Sequence, residues 1–597
     1  MKAFPLRPGW AVLVFAACAT LSPAKEDLHR LRDRHIVALN QVGFLRDGPK
    51  RFTAPLSDDG VRFLVREADG SRALFKGRVE GHIGDFSAFR PEDSTRTFVV
   101  VLSGGGLKEG VSDPFVIRTN LWQDHFWQSA VDFLIDTRSV VGTHPSAWGG
   151  CPWRDGTYYD AILPSLVLLF LSDPARIEAM PKQIDWEADK ARVLSDDFRF
   201  DAANPCSKGV MEAVRRYYDE IEPPAPDAPD VVKLLHWGAG YYCVNPATRD
   251  PSNDPLGRRI HAQTLEQVAY VVWAWPALKR WLPESFHARC RDLCFKHWEA
   301  SGALTIPDLW LMKSYHRTVG GKVRNPVGGS LHPYKGRHAP GHSIVPNLLM
   351  FEVARREKRD DSDEYLQGAK TQAAWLIKNL DWNDPRSTKG HRMSEHRTVP
   401  NMVWFLQRYP EAAPAGLRAS IEEWARIAVG RSENLWDFRR YDLDSNWTIP
   451  KLNDVGNWVG FPAIATAASW VVEDAARRER LRTLAVSHAD VVFGRNPRLA
   501  AAPHHPEMGF PDIERGWPRG YRNDVCARLE TVRGSISAGP GTEMFPFRPE
   551  GAYRHPEGWV NYGAAWCTSL AYLQFDARGR PPHKAFAAVR KNSAPRN

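Results

Sequence analysis

Glu557 stands in the stretch Pro556-Glu557-Gly558-Trp559-Val560-Asn561-Tyr562-Gly563-Ala564-Ala565-Trp566. Proline and glycine break the backbone around this acid, and an apolar helix is expected directly after it, over 563–575. Tyr553, Trp559, Tyr562 and Trp566 crowd it in sequence. A carboxyl group among aromatic walls has its charged form disfavoured, which raises its pKa. It then keeps a proton ready for a leaving group near neutral pH. The position equally suits an acid that only complements the positive end of a helix dipole.

A second acidic stretch runs Trp148-Gly149-Gly150-Cys151-Pro152-Trp153-Arg154-Asp155-Gly156-Thr157-Tyr158-Tyr159-Asp160-Ala161, again just before an apolar helix. Glycoside hydrolysis needs two carboxyl groups on opposite sides of the scissile bond. Asp155 or Asp160 could make that pair with Glu557, and Trp153, Tyr158 and Trp559 could line sugar subsites. The alternative is that Asp160 caps the helix and Asp155 sits in an Asp-Gly turn.

Leu331-His332-Pro333-Tyr334-Lys335-Gly336-Arg337-His338-Ala339-Pro340-Gly341-His342 gathers three histidines and two cations before another helix. Such a loop suits a carboxylate or sulfate, or a Tyr/His acid–base pair for elimination, or is held by its own hydrogen bonds. Its spacing does not match a helical zinc site. His504 and His505, between prolines, suit a pocket wall or a surface loop. Asp442, Asp444 and Asn446 alternate as calcium ligands could, but the glycine and distant acid of an EF-hand loop are missing. No cofactor is expected, calcium being the one candidate.

Two kinds of element must position these groups. Runs at 36–39, 61–65, 97–102 and 115–117 are β-branched or aromatic, with Asp-Gly and Gly-Gly turns between them, and predict a small β-sandwich over 35–118. From 121 the period becomes helical. Helices are expected at 121–137, 163–171, 209–221, 231–241, 260–275, 283–298, 343–356, 365–379, 398–409, 417–429, 458–473, 479–493 and 563–575. No short repeat marks a solenoid. Helices in this number fit a barrel of helical hairpins over 120–580, and the proline-rich 222–230 reads as an exposed loop.

Residues 1–24 have the order of a secretory signal: Lys2 and Arg7, the apolar run 11–21, then Ser22-Pro23-Ala24. The run is too short to cross a bilayer, and no later stretch is long and apolar enough. Export to the periplasm or medium is expected. Cys18 follows Phe15-Ala16-Ala17, a poor lipobox, so a lipid anchor is the lesser reading. Cleavage would leave seven of the eight cysteines, an odd number. Cys290 and Cys294, one helical turn apart, suit shared packing. The 23 tryptophans could be sugar platforms or core filling. A net charge of +9 without a compact basic block argues against nucleic acid and admits an acidic polysaccharide.

Together these residues resemble glycoside hydrolase family 9, inverting cellulases with an N-terminal immunoglobulin-like domain. Asn40-Gln41-Val42-Gly43-Phe44 looks like the opening strand of that domain and Asp113-Pro114-Phe115-Val116-Ile117 like its end. Phe493-Gly494-Arg495-Asn496-Pro497, Pro503-His504-His505 and Ser537-Ala538-Gly539-Pro540 follow the order of the family's C-terminal blocks. Glu557 falls where the family has its acid. The resemblance implies a multidomain chain, an immunoglobulin-like β-sandwich and then an all-α (α/α)6 barrel, with Asp155 as base, Asp160 in reserve, and a β-linked polysaccharide or oligosaccharide as substrate. The sequence departs from the family at Thr157, where the second aspartate of the water-holding pair belongs, at Pro556 for Asn and at Pro506 for Arg. Residues 230–345 match little. Two other functions stay open: a polysaccharide lyase on a similar barrel, using Tyr334 with His338 or His342 and Lys335 or Arg337, and a carbohydrate-binding protein without catalysis.

Overall fold

Phe63 and Val65 turn inward and Arg62 outward along one short stretch, and this alternation makes it a strand with one face in a core. The computed structural model describes residues 37–40, 42–54, 57–93, 95–103, 110–138, 141–142, 161–195, 208–244, 259–301, 318–319, 322–323, 341, 343–383, 394–439, 459–490, 493, 495 and 560–592. Eight strands come first: β1 Gly43–Leu45, β2 Arg51–Thr53, β3 Arg62–Glu67, β4 Ala73–Glu80, β5 Ile83–Asp85, β6 Phe98–Ser103, β7 Gly110–Val111 and β8 Val116–Arg118. Six of them form one antiparallel sheet in the order β2-β5-β4-β3-β6-β7, while β1 and β8 pair in parallel. One apolar core joins both sets: Phe52 meets Phe63 edge-on at 5.0 Å, and Phe44 of β1 meets Phe86 at 5.1 Å. Gly43 permits the β1–β8 pairing. Its φ is 131°, and a Cβ there would stand 2.2 Å from the Val116 carbonyl oxygen.

The run expected as a strand at 36–39 behaves differently over its described part. Val37, Ala38 and Leu39 are buried, but only an isolated bridge, Ala38 to Thr53, forms. β4 was not legible because its apolar residues do not alternate with polar ones and only Val79 is buried; pairing with β3 and β5 makes it a strand.

The helices are α1 Leu121–Asp136, α2 Ile162–Ser172, α3 Pro174–Ala179, α4 Trp186–Leu194, α5 Lys208–Glu220, α6 Asp230–Val244, α7 Arg259–Leu278, α8 Glu284–Ser301, α9 Ile344–Arg356, α10 Ser362–Asn379, α11 Ser394–Arg408, α12 Leu417–Gly430, α13 Phe461–Ser469, α14 Ala475–Asp490, α15 Val560–Ala577 and α16 Pro582–Asn592. A two-residue hairpin, Thr318–Val319 with Lys322–Val323, lies between α8 and α9. α2 packs on α7, α7 on α9, α9 on α11, α11 on α13, α13 on α15, and α15 back on α2. α6, α8, α10, α12, α14 and α1 flank this circuit, each against a member of it.

Contacts near helix ends give the direction. Gln574 near the end of α15 donates to Asp173, which follows α2, and Arg578 pairs with the same carboxylate. Phe170 of α2 meets Trp281 just past α7, and Trp273 late in α7 donates to Glu352 late in α9. Glu352 also accepts from Arg408 at the end of α11. Trp470 after α13 donates to Asp576 in α15. The C-terminal ends of these helices therefore gather on one face and their N-terminal ends on the other.

Trp127, Trp237, Trp273, Trp298, Trp424 and Trp436 are fully buried, so these tryptophans fill the helical core. Cys290 and Cys294 are buried with Cys243, whose Sγ lies 3.6 Å from that of Cys290. The loop 222–230 is not simply exposed. Pro224, Ala228 and Pro229 are buried, the Ala225 amide donates to the Trp281 carbonyl at 2.7 Å, and the Glu222 carbonyl accepts from His236 Nε2 at 2.9 Å. No helix among the described residues is long and apolar enough to cross a membrane.

His236 accepts from the Tyr217 hydroxyl at 2.6 Å through Nδ1, since Nε2 is the donor to Glu222. Burial pushes its pKa down to about 3. The stability it contributes is present above the unfolded histidine value and is lost as pH falls from about 6.5 toward 3. His236→Gln keeps a donor and an acceptor but does not titrate. The stability gap between wild type and this variant should shrink on going from pH 7 to pH 4, as urea unfolding at the two pH values would show.

Candidate active site

The two acidic stretches lead into neighbouring helices. Asp160 directly precedes Ala161 at the start of α2, and Glu557 lies just ahead of Val560, where α15 begins. Because α2 and α15 run in the same direction, their first residues, Ile162 and Val560, stand on the face where the N-terminal ends gather. Ala161 is the N-cap of α2, in the left-handed region with φ 71° and no capping side chain. Asp160, whose alternative reading is a cap of this helix, lies outside the described residues. An amide of the first turn, that of Leu163, is satisfied instead by Gln267 Oε1 of α7 at 3.0 Å.

Inside the circuit, between four of its helices, is a small cavity of about 40 Å³. Ala161, Pro164 and Leu168 line it from α2, Tyr270 from α7, Arg397, Pro400 and Asn401 from α11, and Thr568 and Tyr572 from α15. Arg397, Asn401 and Thr568 are buried. Asn401 Nδ2 donates to the Gly341 carbonyl at 3.0 Å, which fixes its amide against the turn that opens α9. Thr568 donates to the Ala564 carbonyl at 2.9 Å. Burial raises the phenol pKa of Tyr270 and of Tyr572, so both stay neutral hydroxyls. The described lining combines hydroxyl, amide and guanidinium groups with aromatic surface around a space that holds no more than a few waters. No described lining residue is a carboxylic acid.

Glu557, Asp155, Asp160, Trp153, Tyr158, Trp559, His504, His505 and His338 lie outside the described residues. So do Tyr334, Lys335, Arg337, His342, Asp442, Asp444, Asn446 and the segment 1–24 with Cys18. Among the described residues, no group of three or more His, Cys, Asp or Glu could hold a metal ion. The sequence reading missed Tyr270, Arg397, Asn401, Thr568 and Tyr572. One signal was present: Arg397 with Asn401, and Thr568 with Tyr572, are pairs at i and i+4, each putting polar atoms on one face of a helix.

Helices packed in such a circuit behind an antiparallel N-terminal sheet define the class to which the fold belongs: it is that of the family 9 endoglucanases. A single-mutant thermostable endoglucanase from Alicyclobacillus acidocaldarius superposes with a TM-score of 0.53 at 15% identity, over 90% of this chain and 99% of that one. A Bacteroides ovatus GH9 protein gives 0.51 at 12% identity, over 92% and 100%. AaCel9A in complex with a cellobiose-like isofagomine gives 0.50 at 15% identity, over 90% and 99%. No protein-family profile matches the chain, and no curated protein does.

Proposed function

We propose that this chain is a secreted glycoside hydrolase that cleaves a β-linked polysaccharide or oligosaccharide with inversion, on an (α/α)6 barrel behind an immunoglobulin-like domain. The observation that carries this reading is that α2 and α15, the helices that follow the two acidic stretches in sequence, pack side by side in the same direction and share a polar-lined cavity. The fold shared with AaCel9A, solved in complex with a cellobiose-like isofagomine, supports it. In the reaction Glu557 gives its proton to the leaving glycosidic oxygen as the bond to the anomeric carbon breaks. Asp155, with Asp160 in reserve, takes a proton from the water whose oxygen bonds to that carbon from the opposite face. Trp153, Tyr158, Trp559, His338, His504 and His505 line the subsites. Residues 1–24 direct export and are removed after Ala24.

A screen of neutral, uronate and sulfated polysaccharides, reading reducing ends and ultraviolet absorbance together, tests the proposal. New reducing ends without absorbance are expected. Absorbance from a conjugated double bond would replace this reading by the lyase with Tyr334 and His338. Binding without turnover would replace it by a carbohydrate-binding protein. If an acidic substrate is the one cleaved, added salt should weaken its binding, because exposed charges are screened within about 10 Å at 0.1 M.

A further inference from the structure

We propose that Thr53 and Arg495 are positioning residues, through which the N-terminal sheet fixes the root of the segment that leads on to His504 and Glu557. The kinetic part of this inference rests on the hydrolase reading; the structural part does not. Arg495 is fully buried and holds three parts of the chain at once. Its Nε donates to Thr53 Oγ1 of β2 at 3.2 Å, its Nη1 to Ser487 Oγ of α14 at 2.9 Å, and its Nη2 to Asp437 Oδ2 at 3.0 Å. Thr53 uses the same hydroxyl to donate to the Leu435 carbonyl at 2.7 Å. One side-chain oxygen of the sheet thus touches the roots of two segments, the one leaving after Arg439 and the one leaving after Arg495.

The other side of the second root is held equally firmly. Phe493 stacks on Phe126 of α1 with centroids 4.1 Å apart and planes 6° apart, and meets Trp566 of α15 edge-on at 5.5 Å. Trp566 belongs to the helix that Glu557 precedes. Residues 493 and 495 are therefore clamped between β2 and α15. α14 runs back from the face where Trp470 meets Asp576, so its end at Asp490, where Asn40 Nδ2 donates at 2.9 Å, lies toward the face where α2 and α15 begin.

The chemistry of this junction favours placement over adhesion. An apolar interface would hold two bodies together as well or better, since buried charges are costly to desolvate. What a guanidinium network adds is fixed direction at each bond. Asp437, its central carboxylate, sits at φ 49°, a conformation that a residue with a side chain keeps only when its surroundings impose it.

Thr53→Val in the full chain removes the hydroxyl and keeps the shape. Val65→Ala, in the buried sheet core and away from the junction, is the control for lost stability alone. Thr53→Val should raise amide hydrogen exchange over 431–439 and 487–495. It should also lower kcat on the glucan found active by tenfold or more, since a misplacement of about 1 Å can cost on the order of 10². KM should change by less than about twofold, and Thr53→Ser should restore both readouts. Val65→Ala should lower the melting temperature without moving either. Equal effects from the two substitutions, unchanged exchange in Thr53→Val, or faster exchange with unchanged kcat would each overturn the proposal. If wild type cleaves no polysaccharide or oligosaccharide of the screen, the hydrolase reading fails, while hydrogen exchange still decides whether Thr53 fixes these roots.

Discussion

Glu557→Gln should lower turnover of a glycoside with a poor leaving group by roughly 10² to 10⁴, the usual worth of general acid catalysis. The substitution keeps the shape of the side chain and removes the proton source. A substrate with a good leaving group needs little protonation and should lose much less. Asp155→Asn should slow both substrates alike, because activation of water does not depend on the leaving group. The carboxyl groups of Glu557 and Asp155 are expected roughly 6.5–9.5 Å apart across the cleft, leaving room for that water. In the proposed mechanism, Thr157, at the place of the second aspartate of the resembled family, would leave Asp155 with one fewer partner for holding the water. Asp160→Asn is therefore a needed companion: if it alone slows both substrates, Asp160 is the base. Steady-state rates on a matched pair of aryl and alkyl glycosides read all three variants. Unchanged turnover of every substrate in Glu557→Gln would remove the inverting mechanism.

Much of the helical body was legible, from an apolar period in helices such as α5 and α12 and from a run apolar on every side in α2. The bounds expected for α1, α2, α5 and α12 fall within a residue of those observed. The short helices α3 and α4 were missed for the opposite reason. α3 buries only Ile177, and α4 only Trp186 and Val193, so no period stands out. Their starts were nonetheless written in capping residues: Asp173 accepts from the Arg176 amide, ahead of a proline in the first turn, and Asp185 accepts from the Ala188 amide. The site divides similarly. Candidate acids show themselves through local surroundings such as Trp559 and Gly558. Tyr270 and Arg397 acquire meaning only when α7 and α11 are placed around one cavity, which no single stretch encodes. The same holds for Arg51 and Asp437, which meet from opposite parts of the chain.

Asp437→Asn should cost about 3–5 kcal/mol, the usual penalty for removing one partner of a buried charge pair. Arg51 Nη1, Arg480 Nη2 and Arg495 Nη2 all lie within 3.0 Å of its carboxylate, and Ser487 Oγ adds a fourth donor at 3.2 Å. Burial works to raise the pKa of Asp437, but Arg495, Arg51 and Arg480 outweigh it and bring it down to about 2. The sign follows from that comparison. The unfolded carboxyl takes up its proton near pH 4, the folded one near 2, so the contribution is whole above about pH 4 and fades below it. The asparagine amide keeps one acceptor oxygen, so some of the hydrogen bonds survive while the charge does not. Arg495 is fully buried and would keep its own charge without a counterion, whereas Arg51 and Arg480 are partly exposed and can turn to water. The loss should therefore be centred on Arg495. Adding Arg495→Met to Asp437→Asn should recover part of it, because the stranded charge is then gone. Urea unfolding of the two single variants and the double variant gives the coupling directly. Additive losses would mean that the pair does not act as a unit.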